Sequence, residues 1–337
     1  MSYYYQRLTK IEQKAYYAIK EGLLAVAPSF TVPLLDGKKL SDIYFMVRMD
    51  HPEIFWSVKF SYRYYKDSDH AEMIPEYLFK KAQIAEHRTA MESRIKKLTR
   101  QAEKLSEQEK LLFIHDFICE NVKYDKLKKA YSHEIIGPLG QSVGVCEGIA
   151  KTVKVLCDAL GIWCIIALCD NNPEKGIKYR HMWNVIRRDG KYYHLDATFD
   201  NSLGKEGIIR YDYFQLGDSQ VFKDHEPVIY PVPACTDGDR TYYREKKLSW
   251  TKMEDVRKRA AQAAKKGKIL VFHWRGGYLT REVLKEMFEI FREEGAKKEK
   301  YAYLSLNWPQ AVLQVSFRAE APAEEIQMEE ANEGEMQ

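Results

Sequence analysis

The stretch that decides the fold runs from Gly144 to Asp200. It opens with GVCEGIAKTVKVLCDALG (residues 144–161) and, after an apolar segment, continues with RHMWNVIRRDGKYYHLDATFD (residues 180–200). The first string places apolar side chains at a helical period and ends at Gly161, which is typical of a helix terminus. The second string has two alternating runs around an Asp-Gly pair, a strong signal for a β-hairpin. The stretch therefore predicts a helix, a buried strand and then a hairpin.

Cys146 is predicted to lie in the first turn of that helix. The unpaired backbone N–H groups and the positive end of the helix dipole at this position favour a thiolate, and they offer donors to an oxyanion. Gly144 and Gly148 leave room for a close approach. A thiol nucleophile also needs a base and a group that orients the base.

The hairpin brings a histidine and an aspartate together. If Arg188 pairs with Lys191 across the turn, then His181 faces Thr198, and the neighbouring pair on the same face contains Asp196. His181 and Asp196 become diagonal neighbours about 7–8 Å apart between backbones, close enough for the carboxylate to orient the ring. Two other residues share the parity of Asp196: His194, which pairs with Val185 further from the strand end than His181, and Asp200, which lies beyond the expected strand end.

Composition limits the remaining possibilities. The chain has 337 residues and a formal net charge of +4, too small an excess for a nucleic-acid footprint. The N-terminus does not resemble a secretory signal, and the apolar run at 162–169 is too short to cross a bilayer, so we expect a cytosolic protein without a membrane partner. The six cysteines include no C-x-x-C pair or zinc-like spacing, which predicts no disulfide, metal or other cofactor. Three of them are predicted core residues: Cys157, Cys164 and Cys169.

The N-terminal region, residues 1–106, is predicted to combine helices and strands. The alternation in residues 54–64 predicts a strand with one buried and one wet face, and Pro75 places the next strand at an edge or makes it irregular. Residues 79–103 predict a long solvated helix. Ser106 and Glu109 form a capping-box signature before a buried helix on which His115 is expected to be a core histidine.

The chain after the hairpin predicts a separate unit. Residues 227–235 indicate a linker or extended wrap, and residues 218–317 contain the alternating helices and strands of a small α/β domain. Thr251 and Glu254 suggest a second capping box, and Gly267 a helix end. Residues 318–337 are acidic and poor in large apolar groups, so a disordered tail is predicted.

Three motifs in this order resemble a known family. GVCEGIAK, HMWN and YHLDATFD are similar to the motifs of the transglutaminase-like superfamily, a branch of the papain-like cysteine-enzyme fold, and especially to its bacterial members. The resemblance covers roughly Lys110 to Gly217, and the predicted catalytic core is residues 107–217. It implies an α+β fold in which the helix bearing the cysteine packs on an antiparallel sheet bearing the histidine and the aspartate, flanked by the α+β N-terminal region and the small α/β domain.

The resemblance also implies roles for residues. Cys146 is the expected nucleophile, His181 the base and Asp196 the orienting acid, with Asp200 as the competitor for the last role. Papain-like enzymes often use a glutamine before the nucleophile as an oxyanion donor, and Gln141 is the candidate, although an exposed loop glutamine is the alternative. Two further side chains are candidates either to line a substrate groove or to pack in the core, Trp183 and Tyr193.

The expected activity is thiol-based acyl transfer on a peptide or protein substrate. The family spans proteases, amidases and protein cross-linkers. No acidic calcium-loop pattern occurs, so a calcium-dependent cross-linker is disfavoured, and hydrolysis of a peptide or amide bond through a Cys146 acyl-enzyme is the favoured reading. The alternative is a scaffold or binding protein that keeps the fold without the chemistry. The sequence does not predict an oligomeric state.

Overall fold

A computed structural model describes residues 2–204 and 207–321. The chain divides into two compact units: the first comprises Met1–Asp170, Arg180–Tyr213 and Pro227–Cys235, and the second Asn171–Tyr179, Phe214–Glu226 and Thr236–Gln337. The predicted N-terminal region and most of the predicted core fall in the first unit. Most of the predicted tail, from residue 322 onward, lies outside the described residues.

The first unit begins with a helix-and-sheet region. Its elements are α1 (Lys10–Leu24), β1 (Phe30–Pro33), α2 (Gly37–Asp50), β2 (Ser57–Tyr64), β3 (His70–Tyr77) and α3 (Lys81–Thr99). The three strands form an antiparallel sheet in the order β1-β3-β2. A capping box between Thr9 and Glu12 fixes the start of α1. The mixed helix and strand content agrees with the prediction for this region.

Two predictions for this sheet were wrong in part. The alternation in β2 correctly indicated a strand, but the face with the aromatic residues is not buried along its whole length, since Tyr62 and Tyr64 are 38% and 61% exposed. The strand that carries Pro75 is the central one, not an edge strand. Proline is tolerated there because β1 pairs only with residues 70–73, which leaves Pro75 paired with Phe60 of β2 alone.

The second part of the first unit carries the predicted core. Its elements are α4 (Glu107–Asn121), β4 (Lys123–Tyr124), β5 (Val143–Gly144), α5 (Cys146–Ala159), β6 (Cys164–Cys169), β7 (His181–Arg188), β8 (Lys191–Leu195) and α6 (Ala197–Leu203). Strands β6, β7 and β8 form an antiparallel sheet in that order, and β4 pairs with β5 in parallel. The α5 helix packs on β7, and β6 is buried along its length. The predicted Ser106–Glu109 capping box is confirmed at the start of α4.

The segment Pro227–Cys235 belongs to this unit as an extended wrap. The backbone N–H of Ile229 donates to the carbonyl oxygen of Leu168 at 2.8 Å, and the Tyr230 hydroxyl donates to the Asp42 carboxylate at 2.8 Å. The segment thereby contacts both β6 and α2, which corresponds to the extended wrap of the two predicted alternatives.

The second unit is a small helix-and-sheet structure. Its elements are β9 (Phe214–Leu216), α7 (Asp218–Val221), α8 (Tyr242–Glu245), β10 (Ser249–Trp250), α9 (Met253–Lys266), β11 (Leu270–Trp274), α10 (Arg281–Ala296), β12 (Tyr301–Asn307) and β13 (Val312–Arg318). Four strands form a sheet in the order β10-β11-β13-β12, and α9 and α10 pack on it around a shared apolar core. The α9 helix ends at Gly267, which has a φ of 61°, as predicted. The predicted Thr251 capping box was wrong, because Lys252 is the N-cap and makes no side-chain cap.

Every helix in residues 2–204 and 207–321 is either too short or too polar to span a bilayer.

Candidate active site

Cys146 is the first residue of α5, as predicted. The preceding residue, Val145, is the N-cap, and it makes no side-chain hydrogen bond to the first turn. Its own N–H is used elsewhere, donating to the carbonyl oxygen of Ser132 at 3.0 Å. The thiol is half-buried. The side chain of the N-cap residue therefore does not cap the backbone N–H groups of the first turn of α5. These donors lie next to a partly accessible thiol.

The two glycines beside the cysteine have a structural role. A Cβ at Gly148 would lie 2.2 Å from the carbonyl oxygen of Ser132, and a Cβ at Gly144 would lie 2.8 Å from Cγ of Pro138. These contacts are too close for any side chain. The glycines thus leave room for residues that precede the helix, Ser132 and Pro138, which pack against the start of α5.

The hairpin has the predicted register as far as its strands extend. Arg188 pairs with Lys191, and the pairing continues to Asn184 and Leu195. The two turn residues have positive φ angles, as a two-residue hairpin turn of this type requires. The predicted pairing of His181 with Thr198 was wrong, because the strand ends at Leu195 and the chain turns into α6.

Asp196 links that helix to the histidine. It is the N-cap of α6, and its Oδ1 accepts hydrogen bonds from the backbone N–H groups of Thr198 and Phe199 at 2.9 and 3.1 Å. Its Oδ2 lies 2.6 Å from Nε2 of His181. Asp196 is buried, so the helix start fixes one oxygen while the other holds the ring.

The environment of His181 favours its charged form. Burial by itself lowers the pKa, but the charge of Asp196, the hydrogen bond to it and the interaction with Cys146 outweigh burial and raise the pKa from 6.5 to about 10. The ring lies between two aromatic side chains, with Phe199 at 4.7 Å and Trp183 at 5.8 Å between ring centroids. At neutral pH the structure therefore presents an oriented imidazolium to the thiol.

The two predicted groove candidates are both packed in the core. Trp183 is 1% exposed and its Nε1–H donates to Nδ1 of His194 at 2.9 Å, while Tyr193 is fully buried. Of the two predicted alternatives, both residues therefore pack in the core. The Trp183 ring also stacks on the His181 ring. Gln141 lies at the exposed end of the helical turn Gly137–Gln141, and its part in an oxyanion site stays a prediction.

Asp200 has a different partner. Its Oδ2 lies 3.0 Å from Nε2 of His115, and its Oδ1 accepts the backbone N–H of Tyr213 at 3.0 Å. Both members of the His115–Asp200 pair are fully buried, and the pair joins α4 to α6. The prediction of His115 as a satisfied core histidine is confirmed, and the structure places Asp196 rather than Asp200 on the His181 ring.

A buried ion network beside the cysteine was not anticipated from the sequence. Glu147 lies 3.0 Å from Arg48 and 2.8 Å from Lys151, and Lys151 also lies 2.8 Å from Glu134, which contacts Arg48 as well. Burial raises the pKa of Glu147, but Lys151 and Arg48 outweigh it and hold that pKa well below its ordinary value. His133 completes the network, 3.0 Å from Glu147. The only local signal was the Glu147–Lys151 spacing of four residues on one helix.

The comparison with protein families concerns the same part of the chain. Residues 93–197 match the model of the transglutaminase-like superfamily. This segment is similar to transglutaminase-like domains. The matched residues include Cys146, His181 and Asp196, and they cover α5 and the hairpin, so the resemblance seen in the three motifs is confirmed.

Two solved structures similar to this chain carry names of cysteine-enzyme types. One is the crystal structure of a TGase, with 13% sequence identity, half of each chain covered and a TM-score of 0.28. The other was solved under the name "Putative Cysteine Protease from Cytophaga hutchinsonii", with 15% identity, 42% of this chain and 62% of that chain covered, and a TM-score of 0.26. The match thus spans half to three fifths of those chains. No curated protein matches this sequence.

Proposed function

We propose that this protein is a cysteine-dependent acyl-transfer enzyme that hydrolyses a peptide or amide bond through an acyl-enzyme on Cys146. The observation that carries the proposal is the 2.6 Å contact between His181 and Asp196 together with the interaction of the same ring with Cys146. Nucleophile, base and orienting acid are the three groups that such chemistry requires. The match to the transglutaminase-like superfamily supports the proposal.

The reaction follows from the roles of these groups. The Cys146 thiolate attacks the carbonyl carbon of the amide, and the carbonyl oxygen takes up the negative charge. The C–N bond then breaks, and the imidazolium of His181 gives its proton to the leaving amine, which leaves a thioester on the sulfur. Because Nε2 of His181 is bonded to Asp196, the proton is exchanged through Nδ1.

Water completes the cycle. The neutral imidazole takes a proton from a water molecule, whose oxygen attacks the thioester carbon. The C–S bond breaks to release a carboxylic acid, and the thiolate and imidazolium return. An amine in place of this water would give a cross-linked or transferred product. We propose water as the acceptor and a peptide or protein as the substrate.

Alkylation tests the thiol independently of any substrate. Iodoacetamide at neutral pH is expected to modify Cys146 first, because this partly exposed thiol lies at the start of α5, where the backbone N–H groups of the first turn favour an anion. Cys119 provides a matched control, since it is also half-buried but burial raises its pKa. The Cys146→Ala variant should lose the fast labelling, and the Cys119→Ala variant should keep it. Fast labelling that survives in Cys146→Ala would overturn the assignment and favour an inactive scaffold.

A further inference from the structure

Tyr124 lies beside the cysteine although it is distant from it in sequence. Its strand, β4, pairs in parallel with β5, and Tyr124 is the partner of Gly144, two residues before Cys146. The flanking backbone hydrogen bonds have ordinary lengths: the N–H of Lys123 donates to the carbonyl oxygen of Ser142 at 2.9 Å, and the N–H of Asp125 donates to that of Gly144 at 3.0 Å. The backbone of Tyr124 is therefore held against the segment that leads into α5.

The next residue holds this arrangement from the other side. The carboxylate of Asp125 accepts two backbone N–H groups of the following turn, each at 3.0 Å, and the hydroxyl of Ser132. The carbonyl oxygen of Ser132 in turn accepts the N–H of Val145. Tyr124 and Cys146 thus belong to one hydrogen-bonded frame, which fixes the tyrosine relative to the thiol.

The phenol of Tyr124 is a proton donor at this place. Burial and the negative charges of Cys146, Asp125 and Asp196 raise its pKa, so the hydroxyl keeps its proton. The contributions of Cys146 and Asp196 agree with the pairing of Tyr124 with Gly144, which places this strand beside the segment that leads into α5. The side chain is 44% exposed, and no hydrogen bond within residues 2–204 and 207–321 engages its hydroxyl. An unengaged donor therefore borders the accessible thiol.

We propose that Tyr124 is a further catalytic residue, whose hydroxyl donates a hydrogen bond to the substrate oxygen as Cys146 attacks the carbonyl carbon. It acts together with the backbone N–H groups of the first turn of α5, and it takes the place for which Gln141 was considered. The inference rests on the proposed function, because only an acyl-transfer reaction forms this oxyanion.

Two reagents separate this role from a general effect on the thiol. p-Nitrophenyl acetate acylates a thiolate through a tetrahedral intermediate that carries an oxyanion, whereas iodoacetamide alkylates the same sulfur by displacement of iodide and forms none. Removing one oxyanion donor slows the oxyanion-forming reaction about 10²–10³-fold in well-formed sites. Because Tyr124 is partly exposed, we expect a loss of at least about tenfold.

The experiment compares Tyr124→Phe with wild type in both reactions. The variant keeps the ring and loses only the hydroxyl, so acylation should slow at least about tenfold while alkylation of Cys146 stays within about twofold. Tyr278→Phe is the matched control, since Tyr278 is 94% exposed and lies in the second unit, and it should change neither rate.

Each other result contradicts a defined part of the proposal. Equal acylation of Tyr124→Phe and wild type would overturn the role of Tyr124 and leave the proposed function intact. An equal loss in both reactions would show that Tyr124 acts on the thiol rather than on the oxyanion, which also overturns the inference. A wild-type protein that is alkylated at Cys146 but never acylated there would overturn the proposed function and the inference together.

Discussion

Replacing Asp196 with asparagine should lower the pKa of His181. In the wild type the carboxylate raises the pKa of His181 from 6.5 to about 10 against the effect of burial. Asparagine removes the negative charge, the largest of the effects that raise the pKa, and leaves burial, which lowers it, so the pKa should fall well below 10. At 1.36 kcal/mol for each pKa unit, the wild-type rise corresponds to about 5 kcal/mol, which is comparable with the roughly 3–5 kcal/mol for breaking a buried pair.

The sign of the effect on stability follows from the direction of the shift. Because the pKa of His181 is higher in the folded protein, the pair contributes its full stabilisation below about pH 6.5, and that contribution is lost as the pH rises through about 10. The difference in unfolding free energy between wild type and Asp196→Asn should therefore be largest at mildly acidic pH and shrink toward pH 10. Urea unfolding at several pH values measures this difference.

A second substitution separates the charge from the helix cap. Asparagine can still accept the N–H groups of Thr198 and Phe199 through its side-chain oxygen, whereas Asp196→Ala also removes the cap of α6. Alanine should therefore cost about 1 kcal/mol more than asparagine. The ring signal of His181 in an NMR titration, assigned by its loss in His181→Phe, reports the pKa directly. A wild-type value at or below 6.5 would refute the reasoning.

Two further substitutions test the frame around Cys146. Gly148→Ala should destabilise the protein by about 1–3 kcal/mol, because the new Cβ would overlap the Ser132 carbonyl. The control Gly140→Ala should have little effect, since the atoms nearest its new Cβ lie at 3.5 Å. Thermal unfolding of the two variants measures the difference in stability. Lys151→Met should cost about 3–5 kcal/mol in urea unfolding, because it removes the ammonium group that Glu134 and Glu147 share and leaves them with Arg48 and, for Glu147, His133. The control Lys38→Met removes an exposed pair worth at most about 1 kcal/mol, and equal losses in the two lysine variants would contradict the importance of burial.

Local sequence signals predicted the framework of the site. The Asp-Gly turn sets the register of β7 and β8 because a two-residue turn leaves one way to pair the flanking residues. The apolar period after Cys146 predicts where α5 begins and ends, since only one helical register buries those side chains. Both features depend on neighbours within a few residues, and both were confirmed.

The contact between His181 and Asp196 was predicted correctly, but the strand pairing from which it was predicted does not extend that far. Continued strand pairing would have placed the two residues diagonally, but the chain leaves the strand after Leu195, and Asp196 reaches the ring from the N-cap of α6. Aspartate before a short apolar run is also an N-cap signal, which competes with strand alternation. The carboxylate of Asp196 both caps α6 and orients the His181 ring, so the N-cap signal and the predicted contact with His181 are both correct.

Long-range partners could not be predicted from local pattern. Arg48 reaches Glu134 and Glu147 across 86 and 99 positions of the chain, and nothing near Arg48 or Glu134 in the sequence indicates that it is buried. Likewise, the alternation of β2 shows which side chains share a face but not whether another element covers that face, so the exposure of Tyr62 and Tyr64 was missed. The position of Tyr124 could not be predicted from local pattern either, because it depends on the pairing of the two short strands β4 and β5.

The identity of the acylated residue tests the central claim most directly. Wild-type protein is mixed with p-nitrophenyl acetate, quenched in acid within the burst, digested and mapped by mass spectrometry. We predict a single rapidly formed acetyl thioester on Cys146 that disappears on hydrolysis and is absent from Cys146→Ala. Rapid acetylation of another residue, or a burst that persists in Cys146→Ala, would contradict the proposal that this thiol is the nucleophile.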